Sequence, residues 1–476
     1  MTVLAIDQGT SGTKAIVVDP EHGVVGLAEV PVHPRYLDGG GVEQDPAELL
    51  ESVLGAGRAA IEQAGRRVEA VSLANQGETV LAWDPGTGKP LTQALVWQDR
   101  RAEALCAELG PHAEMIAART GLVLDPYFSA PKMAWLRRTM GPASSGVVTT
   151  SDTWLLHQLT GEFVTDATTA SRSAAVDLGA RDWSHELLAL FGLDGERLPR
   201  IAANDEIVGT TSAFGPDTPV GGIVVDQQAA LLAEACLEPG MAKCTFGTGA
   251  FLLSNTGITP VRSTTGLTSS VAWRVGDTDS FCIDGQVYTA ASAVKWLTSL
   301  GVISGAAEMD GIAETDSAGV LCVPALAGLA APWWKSQATA TISGMTLSTG
   351  RGHIVMAVLQ GIAAQVAELV SAIDADAPPL TRLRADGGLT QSTVLMQACA
   401  DILQVPVDVY PSAHATALGA AALARLSLAP DRSVADVVTD WTPAAGYEPR
   451  WSPARAAEFR SAWRELAETT YNQENS

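Results

Sequence analysis

Paired cysteines are missing. The six cysteines, Cys106, Cys236, Cys244, Cys282, Cys322 and Cys399, are scattered and none sits in a C-x-x-C spacing. That excludes a disulfide framework and a cysteine-based zinc site, and it fits the reduced, buried thiols of a cytoplasmic protein. Basic residues are also scarce: 30 Lys and Arg stand against 53 Asp and Glu, a formal charge of −23. Such a field repels nucleic acid and anionic membranes, so any phosphate must be bound locally. Even the apolar run "GVLCVPALAGLAAPWW" (319–334) is too short for a membrane span and is broken by Pro324 and Pro332. The opening "MTVLAID" has no basic region followed by an apolar segment, so no signal peptide and no membrane insertion are expected. H-E-x-x-H and G-x-S-x-G are absent and the seven histidines are isolated, which leaves metalloprotease and serine-hydrolase chemistry without support.

What is present is an ordinary globular composition: 476 residues, 47% hydrophobic, with 45 Gly and 25 Pro. The chain is too long for one compact core and suggests two or three domains. Strand-like "TVLAID", "KAIVVD" and "VVGLAEV" precede a helical pattern, "PAELLESVLGAGRAAIEQAG", and then a further strand, "VEAVSLA". This alternation predicts an α/β fold. Halfway along, the opening pattern returns. "VLAID" turns through "QGTSGT" into "KAIVVD", and later "MAKCTF" turns through "GTG" into "AFLLSNTG". Two related halves are expected, 1–235 and 236–430. The Pro/Trp-rich connection and amphipathic helix of 431–476 are expected to form a terminal appendage.

Three glycine-rich turns are candidates for holding phosphate. In "IDQGTSGTK" (6–14), Gly9, Thr10, Ser11 and Gly12 follow a strand that ends at Asp7, and Lys14 adds a positive charge. Glycines let backbone N–H groups converge on an anion, and hydroxyls add donors without bulk. The spacing is neither a P-loop nor a dinucleotide fingerprint. "TFGTGAF" (245–251) repeats the chemistry with Gly247, Thr248 and Gly249, and "DGG" (386–388) ends a strand just before a helix, a placement that suits a nucleotide. Each turn alone reads more readily as a plain hairpin or strand-to-helix connection, and the three together shift the balance toward phosphate.

Two strand ends carry carboxylates. "GIVVDQQAAL" sets Asp226 between a strand and a helix, where it is either an N-cap or a base that takes a proton from a hydroxyl attacking phosphorus. "NQGETVLAW" (75–83) presents Asn75, Gln76, Gly77 and Glu78 together, either as a polar turn or as a grip on a small hydroxylated molecule.

Together these residues resemble the FGGY family of carbohydrate kinases, and within it the glycerol kinase branch. The likeness runs over nearly the whole chain: "IDQGTSGTK", "NQGET", "ALVWQDRR" (94–101), "DPYFSAPKMAWL" (125–136), "DQQAAL", "CTFGTGAFLLSNTG", "GLAAPWW", "DGG", "MQACADIL" and "HATALGAA" (414–421) occur in family order. The resemblance implies two actin-like (ribonuclease H-like) domains with ATP in the cleft between them, and Mg2+ as a companion ion. It implies Asp226 as the catalytic base and Asp7 as the carboxylate that helps place magnesium. Thr10, Ser11, Gly12 and Lys14 match the first phosphate loop, with Lys14 where Arg is usual, and Thr248 matches the second. Gly388 and Ser392 fall at the adenosine end. Ala291 and Lys295 stand where glycerol kinases commonly have Gly and Gln. For the polyol the matching positions are Glu78, Trp97, Tyr127, Asp226, Gln227 and Phe251. Gly77 replaces an Arg that hydrogen-bonds glycerol in that branch.

Two functions follow from the resemblance: an ATP-dependent kinase of a small polyol or sugar, or a non-catalytic ATP and sugar sensor of the same fold. The retention of Asp7 and Asp226 favours the kinase. Loss of the Arg at Gly77 removes donors and is expected to open space, so a four- or five-carbon polyol or open-chain sugar is expected, with glycerol itself as the alternative. Partners are expected to be the polyol, ATP and ADP, with a homodimer or higher homo-oligomer as the assembly.

Overall fold

Two mixed sheets of like design make up the framework, as seen in a computed structural model that describes residues 1–141 and 145–472. In the first, the hairpin Val3–Gln8 and Gly12–Asp19 leads to Gly23–Pro31 on one side, and Val3–Gln8 pairs in parallel with Ala70–Asn75 on the other. Ala70–Asn75 pairs in parallel in turn with Thr218–Val225. In the second sheet the hairpin Ala242–Phe246 and Ala250–Gly257 is followed by parallel pairing of Ala242–Phe246 with Leu383–Asp386, and of that strand with Val407–Val409. The repeat legible in the sequence is therefore a repeat of topology.

The first strand reads as a continuous apolar run because both of its faces are covered. Leu4 and Ile6 join a cluster with Leu49, Val53 and Ala56 of the helix Pro46–Ala64, whereas Val3 and Ala5 pack against Ala417, Ala421 and Ala424 of the helix Ala415–Leu428. The first of these helices starts where expected. Asp45 accepts from the Ala47 N–H at 2.9 Å, Pro46 occupies the first turn, and Gly65 closes the helix in the left-handed conformation.

Ala415–Leu428 belongs in sequence to the second half, yet it covers the first sheet. It also lies close along the helix Asp226–Ala233: a Cβ on Gly419 would sit 1.9 Å from the Ala229 carbonyl oxygen, so only glycine permits the approach. The C-terminal segment is likewise no loose appendage. Ala445–Tyr447 adds a strand to the second sheet beside Val407–Val409. In the helix Pro453–Asn472, Trp463 is fully buried and donates its indole N–H to the Cys322 carbonyl at 2.8 Å, and Arg464 makes a two-pronged bond to Glu368 at 2.8 Å each. A weakly patterned, charged helix gave little sequence signal of that anchoring. The helix Arg351–Asp376 is long and apolar enough to cross a membrane, but 89% of its apolar window is buried inside the fold, as in a core helix.

Candidate active site

The parallel strands of both sheets end on a common cleft, the usual ligand position of open α/β sheets. Asp7, the turn after Asn75 and Asp226 close three strands of the first sheet, while the Gly247–Gly249 turn and Asp386 close two of the second. The tip of the first loop is shut by Gly9 N–H to Gly12 O at 3.0 Å, and Trp97 donates its indole N–H to the Thr10 hydroxyl at 2.9 Å. The second loop is tied to the helix Ala291–Ser299: the Thr248 carbonyl accepts from the Ala290 N–H at 2.9 Å and the Ser292 hydroxyl at 3.0 Å, and the Gly247 carbonyl from the Ala291 N–H at 3.0 Å. Ala291 thus positions the loop through its backbone, and Lys295 stands exposed one turn further on. Gly388 has open space where a side chain would be. Ser392 is an N-cap, accepting from the Leu395 N–H at 3.1 Å, and its hydroxyl donates to Asp310.

Beneath the phosphate loops lies a small enclosed cavity of about 20 Å³, bounded by Glu78, Tyr127, Arg172, Val225, Asp226 and Gln227 among others. A larger opening of about 460 Å³ shares Tyr127 and Phe251 with it and is lined further by Trp97 and Thr248. Trp97 meets Tyr127 and Phe251 edge-on, with ring centroids 5.7 and 6.0 Å apart, so three aromatic rings form one wall. Tyr127 is held by Lys132, a fully buried lysine whose ammonium donates to the carbonyls of Pro126, Tyr127 and Phe128. Glu78 sits in the left-handed region with φ 57°, a strained conformation for glutamate that aims its carboxylate at the Arg172 guanidinium.

Electrostatics mark the same place. Burial, with the nearby Asp226 charge, pushes the Asp7 carboxyl up to about 7. Burial also raises Asp226 against the pull of the Lys243 ammonium, Glu78 against that of Arg172, and Asp386 against that of Lys243. Acidic groups shifted this way inside a cleft mark a candidate site.

Asp226 is not an N-cap. It is the first residue of its helix, Val225 takes the cap position, and one carboxylate oxygen accepts from the Gln227 N–H at 2.7 Å. Its other oxygen has no hydrogen-bond partner among the described residues. Of the "NQGET" side chains only Glu78 reaches the cavity. Gln76 is buried and donates to Gln44 Oε1 at 2.7 Å. Part of the space expected beside Gly77 is taken by Val225, whose Cγ2 would lie 2.8 Å from a Cβ there.

Sequence reading missed Arg172, Asp284 and Lys243. Arg172 binds Glu78 and, at 3.0 Å, Asp284 Oδ1 on the strand Thr278–Val287 of the second sheet. Lys243 is fully buried and donates to Gln227 Oε1 at 2.5 Å and the Thr245 hydroxyl at 2.7 Å. Lys243 was detectable as a charge inside a short, largely apolar strand; Asp284, in a strand with other polar residues, and Arg172 had no such signal.

Residues 2–233 match the N-terminal domain, and 242–428 the C-terminal domain, of the FGGY family of carbohydrate kinases. The chain belongs to this family. It is therefore a carbohydrate kinase, a phosphotransferase built on an ATP-binding fold. Similar proteins include a glycerol kinase of Bordetella parapertussis, 41% identical over 490 residues spanning 98% of this chain and 96% of that one. Another, from Aromatoleum aromaticum, is 40% identical and covers 98% of each. Among solved structures, Plasmodium falciparum glycerol kinase with ADP aligns over 98% of both chains with a TM-score of 0.91 and 32% identity. A ligand-bound xylulose kinase from Lactobacillus acidophilus aligns with a TM-score of 0.90 at 20% identity over 99% of both chains, a likeness of fold alone.

Proposed function

We propose that this kinase transfers the γ-phosphoryl group of ATP to a terminal hydroxyl of glycerol. The observation that carries this reading is the Val225 methyl standing where extra room was expected beside Gly77, which favours a short acceptor over a four- or five-carbon one. Full-length likeness to glycerol kinases at 40–41% identity supports the same choice.

Asp226 accepts the proton of the attacking hydroxyl through the carboxylate oxygen not bonded to the Gln227 N–H, while the hydroxyl oxygen bonds to the γ-phosphorus and the bond from that phosphorus to the departing ADP breaks. Glu78, Gln227 and Tyr127 orient the acceptor, and the ring wall of Trp97, Tyr127 and Phe251 covers its carbon skeleton. Thr10, Ser11, Gly12 and Lys14 from one half and Thr248 from the other take the phosphates. Gly388 and Ser392 flank the adenosine, and Ala291 and Lys295 border it. A divalent ion fits the chemistry here. Asp7 feels the charges of Asp226, Glu29 and Asp386 with Lys14 alone pulling the other way, and Asp386 Oδ1 is buried without a partner. No three candidate ligands among the described residues converge to hold a metal on their own, so Asp7 would hold Mg2+ jointly with the nucleotide, where the ion neutralises phosphate charge. The six buried free thiols accord with a reducing compartment, the cytoplasm.

The test is coupled ADP release over glycerol, erythritol, xylitol, ribitol and D-xylulose. Glycerol is expected to give the highest kcat/KM. A higher value for a four- or five-carbon acceptor would overturn the assignment in favour of a substrate that extends into the larger opening shared by Tyr127 and Phe251.

A further inference from the structure

The cavity against Asp226 holds one cationic side chain that neither the motifs nor the phosphate loops account for. Arg172 ends the short helix Ala167–Ser171 and is only 7% exposed. Its Nε donates to Glu78 on the first sheet's side of the cleft; its Nη1 donates to Asp284 Oδ1 at 3.0 Å and lies 3.5 Å from the Ser270 hydroxyl, both on the second sheet. Nη2 has no hydrogen-bond partner among the described residues, and neither has Glu78 Oε2. Both residues line the cavity against Asp226, so a guanidinium N–H donor and a carboxylate acceptor are left free there, while the guanidinium is held by Glu78 in the turn after Ala70–Asn75 and by Asp284 on the second sheet.

We propose that Arg172 is a specificity-determining residue that, together with Glu78, binds the vicinal diol of the acceptor remote from the attacking hydroxyl. This rests on the glycerol reading above. A 1,2-diol offers two adjacent hydroxyls, one able to accept from Nη2 while the other donates to Oε2, and the fixed fork of arginine suits that geometry better than a lysine would. Asp284 acts as a positioning residue that keeps the guanidinium from turning away. The donor that Gly77 cannot supply thus comes from a residue distant in sequence, and the cavity stays short.

The experiment compares glycerol with 1,3-propanediol, which keeps both terminal hydroxyls and lacks the central one. In the wild-type enzyme the ratio of the two kcat/KM values measures recognition of the diol. Arg172→Gln is expected to lower that ratio by about ten- to hundredfold, the worth of a hydrogen bond to a charged donor, mainly through KM for glycerol and with KM for ATP unchanged. If Arg172→Gln lowers both acceptors by the same factor, the residue is only structural and the proposal falls. Should Arg172→Gln fail to fold, Asp284→Asn is read in the same way: a reduced ratio supports the proposal and an unchanged ratio overturns it. Failure of the glycerol reading is seen separately, in the wild-type acceptor panel; the ratio is then taken with the preferred acceptor and its analogue lacking the hydroxyl next to the carbon whose hydroxyl is phosphorylated.

Discussion

Val225 Cγ2 stands 2.8 Å from the point where a Cβ on Gly77 would lie. The two residues close adjacent parallel strands, so the side chain absent at one is compensated by the methyl of the other, and the acceptor site gains no length.

That contact makes Gly77 intolerant of any side chain. Gly77→Ala is expected to destabilise the protein by about 1–3 kcal/mol, the usual effect of overfilling a packed site. Adding Val225→Ala should restore most of the loss. Chemical denaturation of the single and double variants checks this; equal stability of Gly77→Ala and wild type would show that Val225 does not fill the space.

Lys132 holds Tyr127 by bonding three consecutive carbonyls, and burial lowers its ammonium to about 8. Lys132→Met keeps the stem and leaves those carbonyls without their donor. Each unsatisfied buried group costs about 1–3 kcal/mol, so a marked fall in Tm is expected, with a raised KM for the acceptor because Tyr127 loses its support. Unchanged acceptor KM in a folded Lys132→Met protein would separate Tyr127 from substrate binding.

Asp152 gives a pH signature. It is buried, accepts from the Thr165 hydroxyl at 2.6 Å and leaves its other oxygen unpartnered; burial, with the Asp166 charge beside it, raises it to about 7. The folded protein thus keeps a proton that the unfolded chain releases near 3.8. The associated stability is complete below that lower value and is lost as pH rises through about 7. Asp152→Asn cannot ionise, so its Tm relative to wild type should improve steadily from about pH 4 to about pH 8. A constant Tm difference across that range would contradict the shift.

Much of this was legible in the sequence because it is local. A strand, a Gly/Thr turn and a second strand predict a hairpin, and the recurrence of that pattern at residue 242 gives the two sheets. Asp7, Glu78 and Asp226 drew notice by their places at or near strand ends, and the resemblance supplied the roles expected of them. What escaped the sequence is carried by contacts distant along the chain: Arg172 pairs with Asp284 across 112 positions. Ala415–Leu428 crosses back to cover the first sheet through small residues that show no directional pattern. The Asp226 cap reading failed because its helix begins one residue earlier than the aspartate's usual place would require. The open space beside Gly77 failed because a glycine reveals nothing of the neighbour that fills it.

The central claim is that Asp226 takes the proton from the acceptor hydroxyl. The direct measurement is glycerol-dependent ADP release by wild type and Asp226→Asn, with ATP binding followed in parallel by calorimetry. The amide keeps the size of the carboxylate and cannot accept the proton, so kcat is expected to fall by about a hundredfold or more while ATP affinity stays near wild type. Near-wild-type turnover in Asp226→Asn would contradict it.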